Sequence, residues 1–417
     1  MPSFAPPIGS ASGPGYGTGY TTATGYTSSP LSMGYADPYL GGRAPEYINW
    51  SFGFQHQWTS ALTSSIMYVG SEGHFLPADG SNARGYWADQ LDPQYLSLGS
   101  NLNLTGTALT TYCAANAGVC PSSLSVFNTG QSLATLLKPF PFQAVTDSFG
   151  YVANSNYHSL QTTLNLRASH GLTFMANYTW SRSIDDGGTF RSGYALPAGT
   201  VDGAPNSSYT QDRIERSIST SNQPQHIVVT GVWNLPIGVS VLNSNAVERA
   251  VLGGFKFSET FQAYSGSPLA ITGSSCQTNP AQSTCEPSLN AAFSGNAHIN
   301  GKWGQGYTAG MSTPPSYINS SAFAVAPAYK FGNSPRTAPY NLSGPGNYDL
   351  DIALVRSFPL HITEATKLNF RAEMYNVTNH TKFNVASVAY GNGSFGQVTN
   401  DPTATRKAVQ LSARIDF

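Results

Sequence analysis

Residues 48–58 read INWSFGFQHQW, and this stretch decides the fold class because its apolar and polar residues alternate. One face carries Ile48, Trp50, Phe52, Phe54 and Trp58, and the other carries asparagine, serine, glycine and glutamine. Successive side chains of a β-strand point to opposite faces, so the pattern predicts a strand with one apolar and one polar face. Its length of about ten residues is also what a tilted membrane-spanning strand requires.

The same alternation recurs along the chain and predicts at least nine strands. The clearest further stretches are residues 160–168, 172–180, 227–235, 255–263, 350–354, 368–374 and 409–417. His170-Gly171 predicts a tight turn between the first two of these. The sequence therefore predicts an all-β protein, an antiparallel up-and-down transmembrane β-barrel that is partial and truncated at its N-terminus.

Charged residues in the last three predicted strands are expected on the polar face. A charge on the lipid face costs about 2–4 kcal/mol at the bilayer midplane, whereas inner-face charges can pair. We expect an inner, lumen-lining charge network, either structural or along a substrate path, made of Asp349, Asp351, Lys367, Arg371, Glu373, Arg414 and Asp416.

Composition supports a membrane protein over a soluble β-sandwich, which is the alternative reading of the alternation. Only 10% of the 417 residues are charged, against about a quarter in typical soluble domains. The net charge of −1 gives no reason to expect a nucleic-acid partner. No run of apolar residues is long enough for a transmembrane helix, so strands must do any spanning.

Link lengths predict the orientation of the strands. Short links are expected on the periplasmic side and long ones outside the cell, with long links at about 73–156, 184–225 and 265–346. Strict alternation then places Phe417 at the periplasmic rim. An odd strand count implies an upward strand before Met1, so residues 1–45 are interpreted as an extracellular loop and residues 46–417 as the C-terminal part of the barrel. A disordered N-terminal tail is the alternative. The first twenty residues lack the features of a signal peptide, which fits a fragment.

The four cysteines form two local pairs in predicted extracellular loops. Cys113/Cys120 and Cys276/Cys285 each enclose a short segment rich in small and polar residues. That spacing suits loop disulfides in an oxidising compartment, with free thiols as the alternative.

Several stretches resemble Oar-like TonB-dependent transporters of the outer membrane. They are residues 46–76 (EYINWSFGFQHQW…SSIMYVGSEGHFL), 178–188 (YTWSRSIDDGG), 225–238 (QHIVVTGVWNLPIG), 344–359 (GPGNYDLDIALVRSFP), 368–383 (LNFRAEMYNVTNHTKF) and 395–397 (FGQ). The resemblance implies the C-terminal part of the barrel, without the family's signal peptide, plug or TonB box. The alternating residues of the terminal strand are similar to the signal read by the barrel-assembly machinery: Val409, Leu411, Ala413, Ile415 and Phe417.

No catalytic or metal-binding arrangement is apparent, so neither an enzyme nor a cofactor is expected. Asp185-Asp186-Gly187-Gly188 is either a cation site or a polar turn, and the turn is the simpler reading. The leading hypothesis is a TonB-dependent transporter or receptor for an external substrate, as a fragment lacking the plug. The alternative is a structural or adhesive outer-membrane surface protein. Expected partners are outer-membrane lipid, the barrel-assembly machinery, and the TonB system only through a missing plug.

Overall fold

Nine long strands form one antiparallel sheet in the computed structural model. The strands, labelled β1 to β9, are Glu46–Gln57, Leu62–Pro77, Tyr151–Ser169, Leu172–Asp185, Gln225–Asn234, Lys256–Tyr264, Asn347–Pro359, Lys367–Tyr375 and Ala408–Asp416. Each pairs with its neighbours in chain order, from β1 to β9. The predicted succession of nine strands is therefore confirmed. The structure describes residues 20–21, 25–26, 32–35, 44–77, 86–87, 91, 93–120, 132–138, 144–147, 151–186, 216–236, 253–273, 286–330, 332–360, 366–401 and 407–417.

Tight turns close one end of the sheet, which we call the short-turn end. The amide of Trp58 donates to the carbonyl of Leu62 at 2.9 Å and closes the β1–β2 turn. His170 and Gly171 connect β3 to β4 with φ values of 50° and 81°. Two successive positive φ values are typical of the type I′ turn, which matches the twist of the strands on either side. The predicted turn is confirmed.

Long links leave the opposite, long-loop end. There β2 and β3 extend beyond the predicted limits, to Pro77 and from Tyr151, because their ladder continues through register shifts after Gly73. The strand Ser217–Ile218 adds to the end of β4. Other short strands pair apart from the main sheet: Tyr20–Thr21 with Gly25–Tyr26, Ala144–Asp147 with Ser32–Tyr35 and Tyr86–Trp87, Thr272–Gly273 with Ala389–Tyr390, Ser288–Leu289 with Phe323–Ala324, and Phe383–Val385 with Val398–Asn400.

The strands are staggered, so each hydrogen-bonded row crosses the sheet at an angle. One row begins at Leu62, at the short-turn end of β2, and reaches β9 at Val409, near that strand's long-loop end. The offset is about one residue per strand. With about 3.4 Å per residue and about 4.8 Å between strands, it corresponds to a tilt of about 35°.

Two structured modules occupy the long-loop end. The helical module, in the β2–β3 link, contains the 3₁₀ segment Pro93–Asn103 and the helices α1 (Gly106–Ala115) and α2 (Leu133–Leu136) around buried leucines. The aromatic module combines the β6–β7 and β8–β9 links, with the 3₁₀ turns Ser320–Ala322 and Pro339–Asn341, around a core that includes Ile318, Phe323 and Phe395. Among the described helices, none is long and apolar enough to cross a membrane.

The strands β1 and β9 are the two edges of the sheet. Both run toward the short-turn end, so direct pairing between them would be parallel, unlike every neighbouring pair in the sheet. An antiparallel closure therefore requires an odd number of strands between β9 and β1.

Candidate functional site

One face of the sheet is apolar from β1 to β9. Phe54, Ile66, Thr162, Tyr178 and Ile227 follow one another across five strands, and the pattern continues to Leu411 on β9. Phe54 and Leu411 are 67% and 66% exposed. A contiguous exposed apolar surface marks contact with a membrane or with another protein.

Aromatic side chains border this apolar face at both ends. At the short-turn end they are Trp58, Trp233, Phe358 and Phe417, and at the long-loop end they are Trp50, Tyr68, Trp180 and Tyr348. The ring of Trp50 lies across Gly70 on β2, where an added Cβ would come within 2.2 Å of the ring. Such girdles mark the two membrane interfaces of transmembrane barrels.

One charged residue of the last three strands lies on the apolar face, which departs from the sequence prediction. All charges of the last three strands were expected on the polar face, which is wrong for Arg356, because it pairs in register with Phe370. Arg356 is only 7% exposed, and its guanidinium lies 5.0 Å from the Phe255 ring centroid and 4.2 Å from that of Phe358. These cation–π contacts shield the charge. Glu259 on β6 is also on this face, where its carboxylate lies beside Gly231.

The polar face carries all seven residues of the predicted charge network, but their ion pairs run along strands. Arg371 contacts Glu373 at 2.5 Å, and Arg414 contacts Asp416 at 2.7 Å. Asn369 connects the two strands by donating to Asp416 at 2.5 Å. Lys367 lies opposite Asp416 in register. On β7, Asp351 accepts a hydrogen bond from the amide of Asn376 at 2.8 Å, whereas Oδ1 of Asp349 is buried without a partner in the described structure.

The terminal strand places the five alternating residues on the apolar face. Leu411 pairs with Ala372 and Ile415 with Leu368, so Val409, Ala413 and Phe417 share their side. Phe417 itself is 90% exposed at the short-turn end.

A disulfide joins Cys113 to Cys120 in the helical module, and this is the first predicted pair. Cys113 lies in α1, and both cysteines pack near Leu109 and Leu133. The bond therefore fixes the end of α1 to the turn that follows it. The second predicted pair, Cys276 and Cys285, lies outside the described residues.

Replacing Cys113 with serine is expected to destabilise the helical module by about 2–3 kcal/mol, because the bond closes a loop of about eight residues. Native-state proteolysis of the link should report this as a larger population of the locally opened form. The exposed Ala114→Ser change on the same helix should cost about 0.5 kcal/mol. Equal protection of the Cys113→Ser variant and the native protein would contradict the expectation.

The two acidic residues of the candidate cation loop already have protein partners. Asp185 pairs with the buried Arg336 of the aromatic module. Asp186 accepts a 2.5 Å hydrogen bond from the amide of Asn154, and burial raises the pKa of Asp186 above its ordinary value. Gly187 and Gly188 lie outside the described residues. This arrangement ties β3, β4 and the aromatic module together.

A cavity of about 480 Å³ opens in the aromatic module beside the end of β7. His298 and Trp303 form one wall, with ring centroids 4.6 Å apart, and Tyr348 stacked on His380 at 3.9 Å forms another. The Nε2 atom of His298 is buried without a partner in the described structure. No pattern in the sequence indicates this cavity, because its residues come from separate parts of the chain and follow no local motif.

Desolvation lowers the pKa of His298 below its ordinary value of 6.5. In the unfolded module His298 is exposed and binds a proton at higher pH than it does in the folded module. The module therefore loses stability as the pH falls below 6.5. We expect the fluorescence component that is lost in Trp303→Phe to be quenched on acidification, with a midpoint below 6.5. In His298→Asn this transition should disappear, whereas changing the exposed turn residue His170 to asparagine should preserve it. A midpoint at or above 6.5 would be inconsistent with a desolvated His298.

A tilted antiparallel sheet with one apolar face, two aromatic girdles and short turns at one end defines the transmembrane β-barrel class. Residues 3–410 match the family described as outer membrane beta barrel domain. The chain belongs to this family, and its location is the bacterial outer membrane. The short-turn end is accordingly periplasmic and the long-loop end extracellular.

Three solved structures with similar folds come from outer-membrane proteins. The outer membrane transporter YddB from Escherichia coli has 9% identity and a TM-score of 0.39, over 93% of this chain and 34% of that one. The pyoverdine outer membrane receptor FpvA from Pseudomonas aeruginosa PAO1 has 10% identity and a TM-score of 0.33, over 89% and 30%. The siderophore receptor PiuA from Acinetobacter baumannii has 7% identity and a TM-score of 0.32, over 88% and 28%. This chain thus spans about a third of their length. No curated protein matches it.

Proposed function

We propose that these strands are the C-terminal part of the barrel of a TonB-dependent transporter or receptor that takes up or binds an external substrate. The proposal rests on contacts that join the two extracellular modules to each other and to the end of the sheet. The side chain of Asn103 in the helical module donates to the Tyr329 hydroxyl of the aromatic module at 3.3 Å. Arg336 then connects the aromatic module to Asp185 at the end of β4. A fixed extracellular surface is suited to holding a ligand above the strands.

The cavity beside His298 is the candidate contact region for such a ligand. Its lining combines aromatic rings with histidine, lysine and asparagine side chains: Asn296, His298, Lys302, Trp303, Tyr340, Tyr348 and His380. Apolar walls with a few polar groups are typical of small-molecule sites. In this proposal the charge network on the polar face of β7 to β9 lines the lumen, and energy reaches the barrel through a plug and the TonB system.

Two further roles belong to the same proposal. The alternating residues of β9 that end at Phe417 serve as the signal for the barrel-assembly machinery. Residues 1–45 form an extracellular loop, which the pairing of Ser32–Tyr35 with Ala144–Asp147 of the β2–β3 link supports.

Growth on limiting nutrients tests transport. A strain without the full-length gene and a strain without TonB should share a growth defect on at least one limiting nutrient, and the gene should restore growth only when TonB is present. A normal nutrient profile combined with loss of surface attachment would instead support the structural or adhesive alternative.

A further inference from the structure

A second cavity, of about 590 Å³, lies on the apolar face at the long-loop end of β2, β3 and β4. Tyr68, Leu160 and Trp180 form its floor, in one hydrogen-bonded row across β2, β3 and β4. Residues of the aromatic module form its roof, among them Pro268 and Leu342. Its floor is continuous with the lipid-facing surface, so an acyl chain can enter from the bilayer without crossing water.

The height of the cavity places it at the outer interface of the membrane. At about 3.4 Å per residue and a tilt of about 35°, Trp180 lies about 22 Å above the periplasmic end of β4, and Arg182 lies about 28 Å above it. The apolar band of such barrels is about 25 Å tall. The floor is therefore level with the outer-leaflet acyl chains, and Arg182 is level with the headgroups.

The rim of the cavity supplies the matching chemistry. Arg182 lines it and is exposed, and its guanidinium makes no hydrogen bond or ion pair within the described part of the chain. Beside it the His158 ring stacks on Tyr68, and the Tyr68 hydroxyl and His158 Nδ1 share a hydrogen bond of 2.7 Å. An arginine at the headgroup level with no protein carboxylate attracts the phosphate of a lipid, to which its planar fork is suited.

We propose that this cavity binds an anionic, phosphate-bearing lipid of the outer leaflet. One acyl chain lies against Leu160 and Trp180, and the phosphate lies at Arg182. The site rests on the outer-membrane location of the chain and is independent of the proposed transport function, because it lies on the lipid side of the sheet.

Brominated lipids test the proposal, because bromine on an acyl chain quenches a tryptophan that it contacts. The full-length protein is reconstituted in phosphatidylcholine bilayers that contain a minor fraction of brominated phosphatidic acid or of brominated phosphatidylcholine. The fluorescence component that is lost in Trp180→Phe reports occupancy. We expect the anionic lipid to quench this component at about fivefold lower mole fraction than the neutral lipid, the effect of one arginine near a charged headgroup.

Matched arginine variants decide the outcome. Arg182→Gln should remove the preference for the anionic lipid and Arg182→Lys should keep part of it. Arg167→Gln, which changes an exposed arginine near the opposite end of β3, should leave it intact. Heat-modifiable migration on a gel confirms that each variant is folded.

Equal quenching by both lipids in the native protein, or a preference that survives Arg182→Gln, would overturn the proposal. Reversal by inorganic phosphate in the aqueous phase would overturn the lipid source and identify a free phosphate ligand.

Discussion

Replacing Leu411 with arginine is expected to reduce the folded, membrane-inserted population by about 2–4 kcal/mol, because Leu411 faces lipid near the middle of β9. The side chain is 66% exposed on the apolar face, so in the membrane it contacts acyl chains and not protein. No carboxylate on the neighbouring strand faces the new cation, because the residue opposite is Ala372. Arginine at this position must therefore be desolvated or must deform the bilayer.

The matched control is Ser412→Arg on the same strand, one residue further and on the polar face. There the new cation lies opposite Arg371, whose charge is already compensated by Glu373. We expect a much smaller loss of the heat-modifiable, outer-membrane-located form than for Leu411→Arg. Equal losses in both variants would contradict the assignment of the two faces.

The second large effect is expected from Arg336→Ala in the aromatic module. The Arg336 side chain is 2% exposed, and its guanidinium pairs with Asp185 and donates to the Asp185 carbonyl at 3.1 Å. Removing one partner of a buried ion pair typically costs about 3–5 kcal/mol, because it leaves the other charge uncompensated. Proteolysis of intact cells should cut the β6–β7 link faster in this variant, while the sheet keeps its heat-modifiable migration.

The control for this prediction is Lys302→Ala in the same module. Lys302 is exposed and makes no ion pair in the described structure, so its loss should change stability by no more than about 0.5 kcal/mol. If Arg336→Ala protected the link as well as Lys302→Ala does, the ion pair with Asp185 would not hold the module to β4.

The sheet could be predicted from the sequence because each strand has one face in lipid and the other in a polar interior. Lipid on one side and a polar interior on the other impose strict alternation, as in residues 48–58, and this pattern fixes both the strand and its faces. Short turns left little ambiguity in pairing, as at His170-Gly171. The exception, Arg356, shows the limit of the rule, because two phenylalanine rings that shield it are supplied by different parts of the chain.

The extracellular modules could not be predicted in the same way. Their cores bring together residues from links far apart in sequence, such as Ile318 with Phe395. Apolar residues that repeat every 2 or 3.6 positions predict strands and helices, but they do not predict contacts of this kind. The parallel pairing of Thr272–Gly273 with Ala389–Tyr390 likewise depends on tertiary packing. For the lipid-facing cavity a signal was present, because Trp180 and Arg182 continue the alternation of β4 to the headgroup level.

The stagger of the strands makes every hydrogen-bonded row a ramp through the bilayer. The row that leaves β2 at Leu62 beside the periplasm reaches Val409 near the cell exterior. Residues that are neighbours across several strands therefore meet different lipids, one leaflet at the start of the ramp and the other at its end. The depth of a residue in the membrane is therefore counted along its own strand, from the periplasmic turn. Two residues of the same row lie at different depths, so a charge that is tolerated at one can be excluded at the other.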